Sequence, residues 1–332
     1  MGKVSLFAAV GTPLTHRETL WIDACNAHIA DQWNNGMTGI LVAGTMGVMP
    51  MLCNSTYEQL VDCSLRAGEG KGEVLVGASD TSLARTRERI DFLNTFKIDG
   101  VVVLAPYFLS YSQAELHSYF SALADASGNP LYLYDSPGLT GMKIELDTAL
   151  QLAQHPNIHG IKCVGDLGAA RRLHDAAPEG FRVVLAQADL IDVLLHHGIR
   201  EHLDGVFSLA PFWVSGIQKA AAQDDWALAS KYQKQLSELL RVIKKYGVFQ
   251  SFTVLLNMRG CPGNYAPAPM RKLSETEQAA LVAEPIVQRL IIDSKYIASK
   301  NDPKSSLEQH QSRNEVSAPL KVAVTGGSGR GP

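Results

Sequence analysis

Along the chain, apolar runs recur at short intervals, each ended by glycine, proline or a small polar residue. They are SLFAAVGTP (5–13), GILVAGT (39–45), EVLVGAS (73–79), GVVVLAP (100–106), PLYLYDS (130–136), IHGIKCV (158–164), RVVLAQA (182–188) and GVFSLAP (205–211). Their starts lie roughly 23–35 residues apart, and none alternates strictly between apolar and polar. That pattern predicts strands buried on both faces, the hallmark of a parallel sheet. Between them the period changes to that of a helix. Leu116, Tyr119, Phe120 and Leu123 follow Ser110 and Ser112 at i, i+3, i+4, i+7, and Leu60, Cys63, Ser64 and Ala67 line one face after Asn54-Ser55. Asp80 or Thr81 is placed to cap the helix that begins near Ser82.

Eight strand–helix units close most economically into a (β/α)8 TIM barrel. An open doubly wound sheet would require a glycine-rich phosphate turn after its first strand, and AAVGTPLTH is not one. The stretches 226–247 and 276–296 remain helical beyond the eighth unit. The expected organisation is a barrel over 1–222, a C-terminal helical extension over 223–300, and a disordered tail over 301–332 that carries Pro303, Pro319 and a Gly/Ser-rich end. The run LKVAVTGGSGRGP (320–332) has the glycines of a dinucleotide turn without the helix that must follow it.

Of the 332 residues, 46% are hydrophobic and 19% charged, enough apolar mass for a large core. A net charge of −3 leaves no basic footprint for nucleic acid or an anionic membrane. No apolar run reaches the ~20 residues of a membrane helix. The five scattered cysteines form no CxxC pair and fit reduced thiols in a cytoplasmic setting. The opening MGKVSLFAAVGTP mimics a signal peptide faintly, but its short apolar run reads as the first strand.

Chemistry in such barrels gathers at the C-terminal ends of the strands. Those ends carry Thr45 in GTMG, Ser79-Asp80, Pro106-Tyr107, Tyr134, Lys162, Gln187 with Asp189, and Ser208. They show neither an H-x-H pair nor a carboxylate cluster, so no metal site is expected. Lys162 interrupts an apolar strand. An edge strand, or a stem that carries its charge to water, would accommodate it. Alternatively, a lysine amine kept neutral by desolvation attacks ketones to form an imine, and a nearby tyrosine passes the protons.

These segments resemble the N-acetylneuraminate lyase / dihydrodipicolinate synthase superfamily of class I aldolases. YDSPGLTG (134–141) is similar to its Y-N-x-P-x-x-T-G, GIK (160–162) to its G-I-K, GTMG (44–47) to its G-T-T-G, and YAPAPMRKLSETE (265–277) to its R-x-P-x-x-x-L-S-E-E-E ending. The resemblance covers residues 4–296 and implies that Lys162 forms the imine with a 2-oxo acid and that Tyr134 shuttles protons. It further implies that Thr45, Met46 and Gly47 hold the substrate carboxylate, and that Leu139, Gln187, Asp189 and Ser208 face the remainder of the substrate. No cofactor beyond the lysine imine is implied, the partner is a small 2-oxo acid, and the assembly is a homotetramer.

Several positions depart from the family pattern. Met46 replaces a hydroxyl residue and Val48 a glutamate. Leu139 stands where dihydrodipicolinate synthases carry the arginine that binds a second carboxylate. The strand-4 tyrosine of the family falls on Phe108, with Tyr107 or Tyr111 as its substitute. The expected reaction is reversible cleavage of a 2-oxo acid to pyruvate and an aldehyde, with a sugar-derived 2-keto-3-deoxy acid as the preferred substrate. Imine-dependent dehydration, synthase-like condensation and ligand binding without turnover are the alternatives.

Overall fold

The computed structural model describes residues 3–301, with side chains described through residue 296. Eight parallel strands form a closed barrel in chain order: β1 (Ser5–Ala9), β2 (Gly39–Val42), β3 (Glu73–Gly77), β4 (Gly100–Leu104), β5 (Leu131–Asp135), β6 (Ile158–Val164), β7 (Arg182–Ala186) and β8 (Glu201–Asp204). The barrel closes where β1 pairs with β8, Ala8 opposite Asp204. Helices α1 (Ile22–Asn34), α2 (Asn54–Gly68), α3 (Leu83–Leu93), α4 (Gln113–Ala126), the short α5 (Pro137–Thr140), α6 (Leu146–Leu152), α7 (Leu167–Ala176), α8 (Ile191–His196) and α9 (Pro211–Ala221) alternate with the strands. The extension comprises α10 (Trp226–Tyr246), α11 (Val248–Met258), α12 (Glu275–Ala283) and α13 (Pro285–Asn301). The expected tail and its glycine-rich run, apart from Asn301 itself, lie outside the described residues.

Local chemistry sets several helix starts. Ser112 caps α4 by accepting the Glu115 N–H, and Glu115 reaches back to the Ser112 N–H, closing a capping box. The residues predicted to line its inner face, Leu116, Tyr119, Phe120 and Leu123, are all buried. Ser82, rather than Asp80 or Thr81, caps α3 by accepting from Arg85 N–H. Asp80 is instead drawn into ion pairs with Arg85 and Arg89, at 2.9 and 3.1 Å.

The eighth strand requires a correction. The apolar run 205–211 is not a strand: Val206–Ser208 form a 3-10 turn and Pro211 opens α9. The strand is the preceding EHLD, residues 201–204. Its polarity has a physical reason. Glu201 lies at the barrel floor, where Arg182 donates to it at 2.6 Å, to Glu73 at 2.6 Å and to Ser5 Oγ at 3.2 Å. Leu203 joins Phe7, Leu41, Leu75, Val102, Tyr132 and Val184 in the apolar layer above that floor.

The extension is fastened to the barrel. Arg259, just past α11, places its guanidinium against both carboxylate oxygens of Asp31 on α1, each at 2.9 Å, and its side chain is only 1% exposed. Leu14 pairs with Asn264 in an isolated antiparallel bridge. Beyond α10, Phe249 and Met270 share a cavity with Thr45, Tyr107 and Tyr134 at the strand ends.

Candidate active site

Two neighbouring strands place the central pair. Tyr134 on β5 stands in register with Lys162 on β6. Both are nearly buried, at 6% exposure each. The Lys162 amine lies 4.1 Å from the centre of the Tyr134 ring. The Tyr134 hydroxyl meets Thr45 Oγ1 at 3.3 Å. Burial alone would raise the Tyr134 phenol, but the Lys162 charge and hydrogen bonding from Thr45 outweigh it and hold the group below its ordinary value. A phenol tuned in this way can give up and recover a proton beside an amine.

Thr45 sits in a tight loop after β2, closed by the Val48 N–H donating to the Thr45 carbonyl at 3.0 Å. Gly47 packs so closely on this loop that a Cβ there would come within 2.9 Å of the Ala43 backbone nitrogen. Its carbonyl accepts from Thr12 at 2.7 Å. Ala43 and Val48 both have left-handed backbones, each at φ 49°. For β-branched Val48 that conformation is strained, and such strain persists only where the surrounding structure imposes it. Phe108, in the loop after β4, also has a positive φ, 97°.

Above Tyr134 opens a cavity of about 280 Å³. Thr45, Tyr107, Tyr134 and Leu139, all named from sequence, line it. Burial and the Asp80 carboxylate push the Tyr107 phenol up, against the pull of Arg89 and Arg85. Phe108 points away, 92% exposed. Six other sequence candidates do not line the cavity. Lys162 lies behind its wall, against the ring of Tyr134, and Gly47 packs on the Ala43 backbone. Met46 lies across the end of β8, where it fills the space a side chain at Gly205 would need. Gln187 donates its amide to the Gly165 carbonyl at 2.7 Å. Asp189 is exposed. Ser208 is fully buried and donates to the Gly205 carbonyl at 2.9 Å. A wider groove of about 1010 Å³ lies between the segment 14–21 and α11–α12, and it shares only Met270 with this cavity.

The sequence reading overlooked three groups. Phe249 and Met270 reach the cavity from the helical extension. Asp204, at the end of β8, is buried enough to raise its carboxyl above the ordinary value, opposed by the Val206 N–H and the Lys162 charge. An aspartate standing before a presumed strand gave a faint signal for the last, and nothing local marked the other two. Asp135, where the resembling motif has asparagine, is buried, receives the Ile144 N–H at 3.1 Å and pairs with Lys143. The added charge is therefore matched within the same turn.

Comparisons with known proteins bear on the family and the fold. A match to the Dihydrodipicolinate synthetase family spans residues 3–287. The chain is 28% identical over 236 residues to a 4-hydroxy-tetrahydrodipicolinate synthase of Exiguobacterium sibiricum, covering 71% of this chain and 80% of that one. It is 30% identical to that of Stenotrophomonas maltophilia, covering 69% and 78%. In fold it superposes on a prophage protein of E. coli K12 solved with pyruvate, at TM-score 0.80, 24% identity and 86% and 98% coverage. The N-acetylneuraminate lyase of Proteus mirabilis gives TM-score 0.80, 19% identity and 86% and 98% coverage. A family match spanning nearly all the described residues leads to one assignment: the chain belongs to the dihydrodipicolinate synthetase family.

Proposed function

We propose that the protein cleaves, and in reverse forms, a carbon–carbon bond of a 2-oxo acid through an imine on Lys162, giving pyruvate and an aldehyde. The observation that carries this reading is a lysine amine inside the barrel, 4.1 Å from the ring of a tyrosine whose hydroxyl is held by Thr45.

The Lys162 amine adds to C2 of the oxo acid, and Tyr134 delivers the proton with which the carbinolamine hydroxyl leaves as water. In the resulting iminium the C3–C4 bond breaks, its electron pair flowing toward nitrogen to give an enamine. The C4 hydroxyl surrenders its proton to the Tyr134 oxygen and becomes the aldehyde carbonyl. The enamine takes a proton at C3, and water then releases pyruvate and the free amine. Thr45 and the backbone around Met46 and Gly47 hold the carboxylate. The imine is its own electron sink, so the cycle calls for no dissociable cofactor.

Leu139 lines the cavity where a condensation with a dicarboxylic aldehyde would want a cation, which argues against that reaction. A sugar acid draws less support than the sequence suggested, because Gln187, Asp189 and Ser208 do not line the cavity. The strand-4 loop bears on assembly: Phe108 and Leu109, 92% and 61% exposed, form an apolar tip suited to a homomeric contact. Borohydride reduction in the presence of pyruvate tests the reaction. A pyruvate-derived mass increase on Lys162 is expected, and no adduct there would sink the reading.

A further inference from the structure

We infer that the aldehyde half of the substrate is apolar, an aromatic or alkyl aldehyde rather than a polyhydroxylated one. The inference rests on the imine reading above and identifies what lies beyond C4.

The cavity contains almost nothing for a chain of hydroxyl groups to bind. Four polar side chains line it: Thr45, Ser79, Tyr107 and Tyr134. Thr45 and Tyr134 hold one another at 3.3 Å and serve the carboxylate and the proton. The Ser79 hydroxyl already accepts the Leu104 N–H at 2.7 Å. That leaves Tyr107 and the Ser79 O–H for a substrate hydroxyl, and no charged side chain lines the space. The rest of the wall includes Val48, Met49, Met51, Leu139, Phe249 and Met270. A buried hydroxyl without a partner weakens binding about tenfold or more, whereas each methylene taken out of water strengthens it. Three thioethers beside a phenyl ring form a surface that adapts to flat or extended apolar groups. At about 280 Å³ the space suits a small ligand.

The other polar groups near these strand ends face away from the cavity. Gln187 is tied to Gly165, Ser208 to Gly205, and Asp189 turns to solvent.

The test runs the full-length enzyme in the condensation direction, with pyruvate and either benzaldehyde, hexanal or glyceraldehyde, following aldehyde loss and the mass of the 4-hydroxy-2-oxo acid formed. Benzaldehyde or hexanal should exceed glyceraldehyde at least tenfold in kcat/KM, and equal or reversed values would overturn the inference. Borohydride trapping with pyruvate runs alongside. An adduct on Lys162 with the wrong aldehyde preference removes only the apolar assignment, while no adduct removes the imine reading and this inference with it. Phe249→Asn and Met51→Gln should each lower kcat/KM for benzaldehyde at least fivefold more than for glyceraldehyde. Equal losses for both aldehydes would count against the assignment.

Discussion

At the scale of single residues the proposed chemistry concentrates in two side chains. Lys162→Ala should abolish borohydride trapping and turnover together, because no other amine replaces the attacking one. Tyr134→Phe keeps the ring beneath the amine and removes only the hydroxyl that meets Thr45. Its kcat should fall about 10²–10³-fold, the scale of a lost general acid–base group, with a slower yet still measurable pyruvate adduct. These two positions were readable from sequence because short motifs fix them: YDSP ends one strand and GIK occupies the next. Register then made them neighbours. Gln187 and Ser208 illustrate the limit of such reading. Each stands near the end of its strand in sequence, yet a local hydrogen bond turns the first toward the Gly165 carbonyl and the second toward that of Gly205. Sequence position sets where the backbone is, whereas the bonding available there sets where the side chain goes.

Among the elements, β8 shows why an apolar run is an incomplete guide. Four residues suffice for that strand, and two of them are acidic. Glu201 is tolerated because Arg182 on β7 bridges it to Glu73 across the barrel floor, and Asp204, at the other end of the strand, accepts the Val206 N–H at 3.1 Å. The neighbouring run 205–211 is apolar because it is buried as a turn and a helix start. Apolar composition reports burial, and burial is not confined to strands. Arg182→Leu would leave two carboxylates facing each other without their cation. Their side chains are 27% and 26% exposed, so water offsets part of the cost. A loss of about 2–3 kcal/mol in unfolding free energy is expected, below the full figure for breaking a buried pair, and urea denaturation would measure it. Trapping of pyruvate by the folded variant should persist, since the floor lies at the opposite end of the strands from Lys162.

For the molecule as a whole, two buried histidines set the response to acid. Burial holds His28 at about 3, helped by the Arg259 charge, and His202 at about 4. Both values lie below the unfolded reference near 6.5. The unfolded chain therefore takes up protons that the folded chain refuses, and stability falls as the pH drops below about 6.5, until the folded values are reached. At pH 5 each histidine should cost about 2 kcal/mol relative to pH 7. Thermal melts from pH 7 to 5 on the protein and on His28→Gln/His202→Gln would show it, with a flatter profile for the double variant. Assembly is a second whole-molecule property. Phe108→Asp puts a charge on the exposed tip of the strand-4 loop, and light scattering should show a smaller species if that tip joins copies of the chain. Barrel and extension were both legible from periodicity. That the extension helps wall the cavity was not, because Phe249 and Met270 lie far from Tyr134 in sequence and meet it only once the chain has folded.

That shared construction separates two properties that most enzymes must change together. The groups that would make and break the covalent bond belong to the barrel, while part of the wall against which the departing fragment would rest is carried by a segment attached through Arg259 and Asn264. A foreign stretch spanning 247–273 that kept Arg259 and Asn264 could be grafted in its place without disturbing the register of β5 and β6. New selectivity could then be acquired by exchanging one removable cover, with the reaction underneath left intact.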